Sequence, residues 1–226
     1  MPASEGWQFS GAASIAREAT ARLFGPLFGW YMRGPRVHGA EHLSELDEPA
    51  IICPTHASHL DVSALRLALG PHHRRRLAPA VAADYFKANR VRWFFAAWLG
   101  AFPFVRSASA DSMAAAIALL SRGWNILLFP EGTRSRTGDL GQLRPGVGLI
   151  AKRSGRPVLP VLITGTHRIL PPGARLPRRG SVVVRFGAPL SVAADEDPRR
   201  FVARLEAAIR ALAASEASAS TTREAL

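Results

Sequence analysis

The sequence predicts an α/β fold: a mostly parallel or mixed central sheet covered by helices, with an N-terminal amphipathic helical segment. Short apolar runs of strand length alternate along the chain with longer stretches whose apolar residues recur at helical spacing. The chain has 226 residues, of which 48% are apolar and 20% charged. That is enough for one sizeable core and too apolar for a disordered polycation. No internal repeat and no convincing second domain interrupts the alternation.

Residues 7–32 set Trp7, Phe9, Ile15, Leu23, Phe24, Leu27, Phe28, Trp30, Tyr31 and Met32 among Arg17, Arg22 and Arg33. The spacing predicts a helix over 12–24, then a short aromatic segment broken by Gly25, Pro26 and Gly29. It suits a helix lying in a membrane interface as well as one docked on the core. A buried strand over 50–53 ends at Pro54, and a helix over 58–69 follows, with Leu60, Ala64, Leu65 and Ala68 on one side. Strand hands over to helix at Pro54-Thr55-His56-Ala57-Ser58-His59-Leu60-Asp61.

Further strands are expected over 78–83 and 125–129, and further helices over 111–121 and 145–153. Residues 91–99 read as an apolar helix or a membrane-facing segment. Two more strands, 157–163 and 181–186, flank the Pro/Gly/Arg-rich loop 170–180. Asp197 before Pro198 is a cap followed by a first-turn proline, opening a helix to about residue 213. The Ala/Ser/Thr stretch beyond it is expected to fray. The reading divides the chain into an N-terminal membrane-interface helical segment (1–34), a main domain (35–214) and a flexible tail (215–226).

Charge narrows the partners. Lys and Arg number 29 against 17 Asp and Glu, a formal +12, and all the cations except Lys87 and Lys152 are arginines. Such a field draws phosphate-bearing partners, whether nucleic acid, anionic lipid or an acidic carrier protein. Cys53 is the single cysteine, so no disulfide forms within the chain and no thiolate metal cage can be built. No basic start, apolar stretch and small-residue cleavage site mark a leader, and no window is long and apolar enough for a conventional spanning helix.

Three local patterns can carry chemistry. His56 stands at a strand end with Asp61 five residues on, where a folded-back turn lets the carboxylate accept the proton of one imidazole nitrogen. The other nitrogen is then a base for an alcohol. Neither Cys53 nor a glycine-flanked serine offers a nucleophile beside it, so direct transfer suits the pair better than a covalent enzyme intermediate. Taken alone, the spacing favours a structural histidine capping a turn. His59, two residues from Asp61, is better read as a surface or packing histidine. His38, His42, His72, His73 and His167 share no ligand spacing, and no metal site is expected.

The second pattern, Phe129-Pro130-Glu131-Gly132-Thr133-Arg134-Ser135, follows a strongly apolar strand. It offers a carboxylate, two hydroxyls, a guanidinium and a glycine that lets backbone approach an anion. It lacks the spacing of a Walker loop, so ATP is not implied. The third, Gly100 to Arg106, joins an apolar stretch to an arginine. Arg106 can hold a phosphate while an acyl chain lies along Trp93, Phe94, Phe95 and Trp98. A packed helix, loop and strand with an exposed arginine explains the same residues.

Together with Val158-Leu159-Pro160-Val161, and in this order, the three patterns resemble the lysophospholipid and glycerol-phosphate acyltransferases, and most closely the 1-acyl-glycerol-3-phosphate acyltransferase branch. The likeness runs over about residues 35–190. It implies an O-acyltransferase of phospholipid biosynthesis. A fatty acyl group would move from the thioester of acyl-coenzyme A or acyl-carrier protein to the free hydroxyl of 1-acyl-glycerol-3-phosphate, giving phosphatidic acid. His56 would be the general base and Asp61 would fix its tautomer. Arg106 and Arg134 would hold the acceptor phosphate, Glu131 and Thr133 would organise the loop or touch the glycerol, and Gly132 would permit the close turn. The segment 91–104 would form an acyl channel or face the bilayer.

No bound cofactor or metal is implied; the acyl thioester is a co-substrate. The partners implied are a lysolipid acceptor, the thioester donor with acyl-carrier protein among its forms, and an anionic membrane surface. The location implied is the cytoplasmic face of the cell membrane, peripheral or monotopic. Arginines in 74–76 and 168–179 can meet anionic headgroups or form a solvated positive face. The family often has asparagine before the catalytic histidine; Thr55 stands here. Rival readings are acylation of a lyso-ornithine lipid or another lysophospholipid, and a catalytically silent lipid-binding relative, against which His56 and Asp61 argue. Nucleic-acid binding has the charge but no zinc-finger, KH or RRM signature.

Overall fold

The computed structural model of the chain describes residues 6–88, 94, 96–105, 109–174 and 176–224. Its sheet has seven strands: β1 (Arg36–His38), β2 (Ile51–Pro54), β3 (Leu77–Ala82), β4 (Phe102–Phe104), β5 (Asn125–Leu127), β6 (Val158–Thr164) and β7 (Val183–Phe186). Their spatial order is β1-β7-β6-β2-β5-β3-β4. All neighbours are parallel except β6 and β7, so the expectation of a mostly parallel or mixed sheet holds.

Alternation along the strands builds two apolar layers. Ile51, Cys53, Ile126 and Val158 join one cluster with Leu119, Ile150, Phe201 and Leu205. Those partners come from helices α3 (Ala110–Ser121), α4 (Gly146–Ser154) and α5 (Pro198–Glu224). Ile52, Leu127, Leu159 and Val161 join the other with Leu65 of α2 (Asp61–Ala68) and with Met32. Cys53 is fully buried, and burial pushes its thiol pKa up.

The pairing of β2 positions the site. This strand lies between β5 and β6 and is parallel to both, so the loops leaving the carboxyl ends of all three emerge side by side. Thr55 continues the ladder after β2 ends. Its hydroxyl donates to Ile163 O (3.1 Å) and accepts from Ile163 N (3.0 Å). Thr55 therefore ties the start of the turn after β2 to β6.

Some boundaries differ from expectation. The N-terminal helix does not stop near residue 24: α1 runs Gly11–Tyr31 through Gly25, Pro26 and Gly29. Proline removes one backbone donor, and the helix is held beyond it by tertiary anchors. Gly180 N donates to Tyr31 O (3.0 Å), Arg179 Nε donates to Trp30 O (3.3 Å), and Met32 is fully buried at the helix end. The short strand β1 carries no long apolar run to reveal it, whereas β4 falls where the helix, loop and strand reading of residues 100–106 puts a strand. Helix α5 continues past residue 213 to Glu224, and Arg185 of β7 pairs with its Glu216 (2.5 Å).

Helix α1 buries charge and exposes apolar surface. Arg17 and Glu18 are each only 4% exposed, whereas Ile15 and Leu23 are 69% and 72% exposed, with Phe24, Leu27 and Trp30 also exposed. Arg17 donates to Gln8 O (2.7 Å), and burial lowers its pKa to about 10. Arg74 makes a two-point pair with Glu18, so it is a packing partner of α1 and not part of a loose positive face. No helix among the described residues is long and apolar enough to cross a membrane.

Candidate active site

The turn leaving β2 folds back so that Asp61, at the start of α2, lies under His56. Asp61 is 1% exposed, and its Oδ2 accepts from His56 Nδ1 (2.9 Å), Ala57 N (2.8 Å) and Ser58 N (2.8 Å). Its Oδ1 accepts from Thr166 Oγ1 (2.6 Å). The carboxylate thus ties down its own turn while accepting a hydrogen bond from the imidazole Nδ1–H on one side. With Nδ1 as donor, Nε2 is left as an acceptor.

The ring is stacked on Phe129, with centroids 3.7 Å apart and planes 17° from parallel, and its side chain remains 19% exposed. Phe129 follows β5, so the strand beside β2 supplies the wall against which the imidazole is oriented. Two backbone links join the loops: Ser135 N donates to His56 O (2.7 Å), and His56 N donates to Glu131 Oε1 (2.8 Å).

Glu131 is buried, and its second oxygen accepts from Gly141 N (2.9 Å). Burial raises its pKa, opposed by those two backbone bonds. Both carboxylate oxygens are engaged with main chain, which makes Glu131 the clasp between the two loops. Of the two roles open to it from the sequence, the organising one has this geometry.

His56 opens into a cleft of about 690 Å³. Gly132, Thr133, Arg134 and Arg144 are among its polar lining, and Ala96, Leu99, Phe104 and Leu128 among its apolar lining. His59 lines it too. Its pKa is lowered, first by burial and then by the Arg134 guanidinium and by His56. His59 is exposed, as the spacing suggests for a surface residue, and it lines the same cleft as His56.

Phe94 is exposed and stacks with Trp98 at 6.2 Å, while Ala96 and Leu99 of the same segment face the cleft. Trp93, Phe95 and Arg106 lie outside the described residues. Arg144 was not singled out from the sequence. It is far along the chain from His56, and its place follows from Arg144 N donating to Pro130 O (2.8 Å) and Arg144 Nε to Glu131 O (3.2 Å). Among the described residues no group of three or more His, Cys, Asp or Glu gathers to hold a metal ion.

Gly132 is required twice over. Its φ is +71°, and a Cβ there would stand 2.6 Å from Arg144 Nε. Gly132→Ala is expected to cost about 1–2 kcal/mol from the left-handed backbone alone. It also pushes Arg144 off Glu131 O. A lowered urea midpoint for Gly132→Ala would show the combined cost.

The acyltransferase family model matches residues 34–164. A chloroplastic 1-acyl-sn-glycerol-3-phosphate acyltransferase of Arabidopsis thaliana is 30% identical over 158 residues, 68% of this chain and 43% of its own length. One of Brassica napus is 30% identical over 141 residues, covering 61% and 39%. The chain thus spans about two fifths of these curated relatives. In three dimensions it shares its fold with the 1-acyl-sn-glycerophosphate acyltransferase of Thermotoga maritima. That match has a TM-score of 0.69 at 23% identity and covers 88% of this chain and 79% of the other.

Proposed function

The chain belongs to the acyltransferase family, and from that premise we propose that it transfers a fatty acyl group from a thioester to the free hydroxyl of 1-acyl-glycerol-3-phosphate, producing phosphatidic acid. One observation carries the reading. His56 is held through Nδ1 by buried Asp61 and faces a cleft lined both by arginines and by apolar residues. A lysolipid acceptor carries both a phosphate and an apolar chain.

In the reaction, His56 Nε2 takes the hydroxyl proton as the acceptor oxygen attacks the thioester carbonyl carbon. The C–S bond then breaks, and the imidazolium returns its proton to the departing thiolate. Asp61 stabilises the imidazolium through Nδ1. No protein acyl group is needed, and the Cys53 thiol lies in the core, away from the cleft. Arg134 and Arg144 bind the acceptor phosphate, and Thr133 lies beside them. Arg106 is proposed as a further phosphate ligand, with Trp93, Phe94, Phe95 and Trp98 along the acyl or membrane path. The donor is acyl-coenzyme A or acyl-carrier protein.

The exposed apolar face of α1 supports peripheral or monotopic attachment through residues 1–34, with the acyltransferase domain over 35–214. The positive charge favours an anionic membrane surface, placed here on the cytoplasmic side.

The test is mass spectrometry of products from purified protein, both donor types and a panel of lysolipids. Phosphatidic acid formation dependent on His56 is expected; another acylated product would move the chain to a different acceptor. Arg134→Gln is expected to raise KM for lysophosphatidic acid about tenfold or more. It should do little to KM for a neutral monoacylglycerol, and equal effects on both acceptors would remove the phosphate role.

A further inference from the structure

The acyl-transfer reading leaves one polar group in the dyad's surroundings without a role. Asp61 Oδ2 receives three donors, whereas Oδ1 receives Thr166 Oγ1 at 2.6 Å, and both residues are buried. Thr166 opens the short helix Thr166–Ile169 that follows β6, the other neighbour of β2. Gly165, with φ +89° and a Cβ position only 2.0 Å from Ser181 O, turns the chain sharply enough to set Thr166 beside the catalytic turn. A second tie keeps it there: Leu170 N donates to Thr166 O (2.9 Å), and Ser58 Oγ donates to Leu170 O (2.7 Å). The segment 165–170 therefore grips the segment 56–61 at two points.

We infer that Thr166 is a positioning residue for acyl transfer: its hydroxyl fixes Asp61 Oδ1, so that Oδ2 faces His56 and the imidazole keeps its proton on Nδ1. Three donors already hold Oδ2, and the bond from Thr166 adds a restraint at the opposite oxygen, against tilting of the carboxylate about that point. Holding both ends sets its plane, and that plane sets the ring and the direction of Nε2. Thr166 touches no reacting atom; it acts through Asp61. Besides Asp61, the polar groups facing His56 are Glu131 at its backbone N–H, with His59 and Arg134 along the cleft.

The proposal rests on the acyl-transfer reading for its kinetic part only. Its other readout is the ring itself, followed by nitrogen NMR of histidine-labelled protein with His56 assigned by His56→Gln. The parent is expected to show a single Nδ1-protonated tautomer, and Thr166→Val a mixture of tautomers. With lysophosphatidic acid, Thr166→Val is expected to lower kcat about tenfold at unchanged KM. Thr166→Ser should restore the parent value. In an Asp61→Asn background, Thr166→Val should cost nothing more, because the partner through which it acts is already altered.

A parent tautomer and parent kcat in Thr166→Val would overturn the inference, as would a full additional loss in the Asp61→Asn background. If Thr166→Val does not fold, Thr166→Cys, whose thiol is a weak donor, is expected to show the same kcat loss at smaller amplitude; parent kcat there would equally sink it. A parent that acylates no acceptor refutes the acyl-transfer reading, and the tautomer measurement still decides the role of Thr166.

Discussion

His56→Ala is expected to leave a folded protein whose acyl transfer has fallen by about 10²–10⁴-fold, the usual contribution of a positioned general base. The fold survives because the links that shape the turn are made by the backbone of residue 56. Its N–H donates to Glu131 Oε1 and its carbonyl accepts from Ser135 N, and neither needs the ring. Asp61 also keeps the donors Ala57 N, Ser58 N and Thr166 Oγ1 after the imidazole is gone. Product formation by mass spectrometry, alongside thermal unfolding followed by circular dichroism, separates the two effects. A rate within twofold of the parent would end the general-base assignment. His59→Ala is the natural control: it removes the other imidazole of the cleft and leaves the Asp61 bond intact.

Asp61→Ala should strike both stability and activity. It strips the acceptor from two backbone N–H groups and a threonine hydroxyl in a site that is almost closed to water. A buried donor left without an acceptor costs about 1–3 kcal/mol, and several are lost together here, so a destabilisation of about 3 kcal/mol or more is expected. The turn from β2 into α2 loosens, and His56 loses the group that selects its tautomer. Asp61→Asn keeps the volume and one acceptor oxygen, so it should recover much of the stability and little of the activity. Urea unfolding and the product assay on both variants check this. An alanine variant as stable as the parent would show that the carboxylate is not the keystone of the turn.

What could be read without coordinates follows from range along the chain. The His56 and Asp61 pair lies within one turn, so its spacing is visible locally, but that spacing alone favours a structural histidine, and only the ordered set of motifs along the chain singles the pair out as catalytic. The clasp by Glu131 was half visible: its motif followed an apolar strand, but nothing local says that both oxygens end on backbone N–H groups from residues 56 and 141. Arg144 and Thr166 could not be found from spacing. Thr166 reaches Asp61 because β6 lies against β2, and Arg144 returns to the loop after β5, which lies on the other side of β2.

The extent of α1 was misjudged because glycine and proline signal a break locally, while its far end is held by residues 179 and 180. Strand β1, three residues long, is too short for alternation to show. The alternation of longer elements, and with it the fold class, was legible because both faces of the central strands are apolar.

The lone thiol of the chain has a use as a reporter. Cys53 sits in β2 opposite Pro160 of β6, fully enclosed, three residues before His56. An alkylating reagent reaches it only when the central strand comes away from its neighbours, so the labelling rate is a clock for opening events directly beneath the active site. Because that clock runs slowly in the folded protein, a cysteine placed on the outward face of α1 takes a dye or spin label with little background. Depth and angle of the helix at a bilayer then become measurable without first removing any native residue.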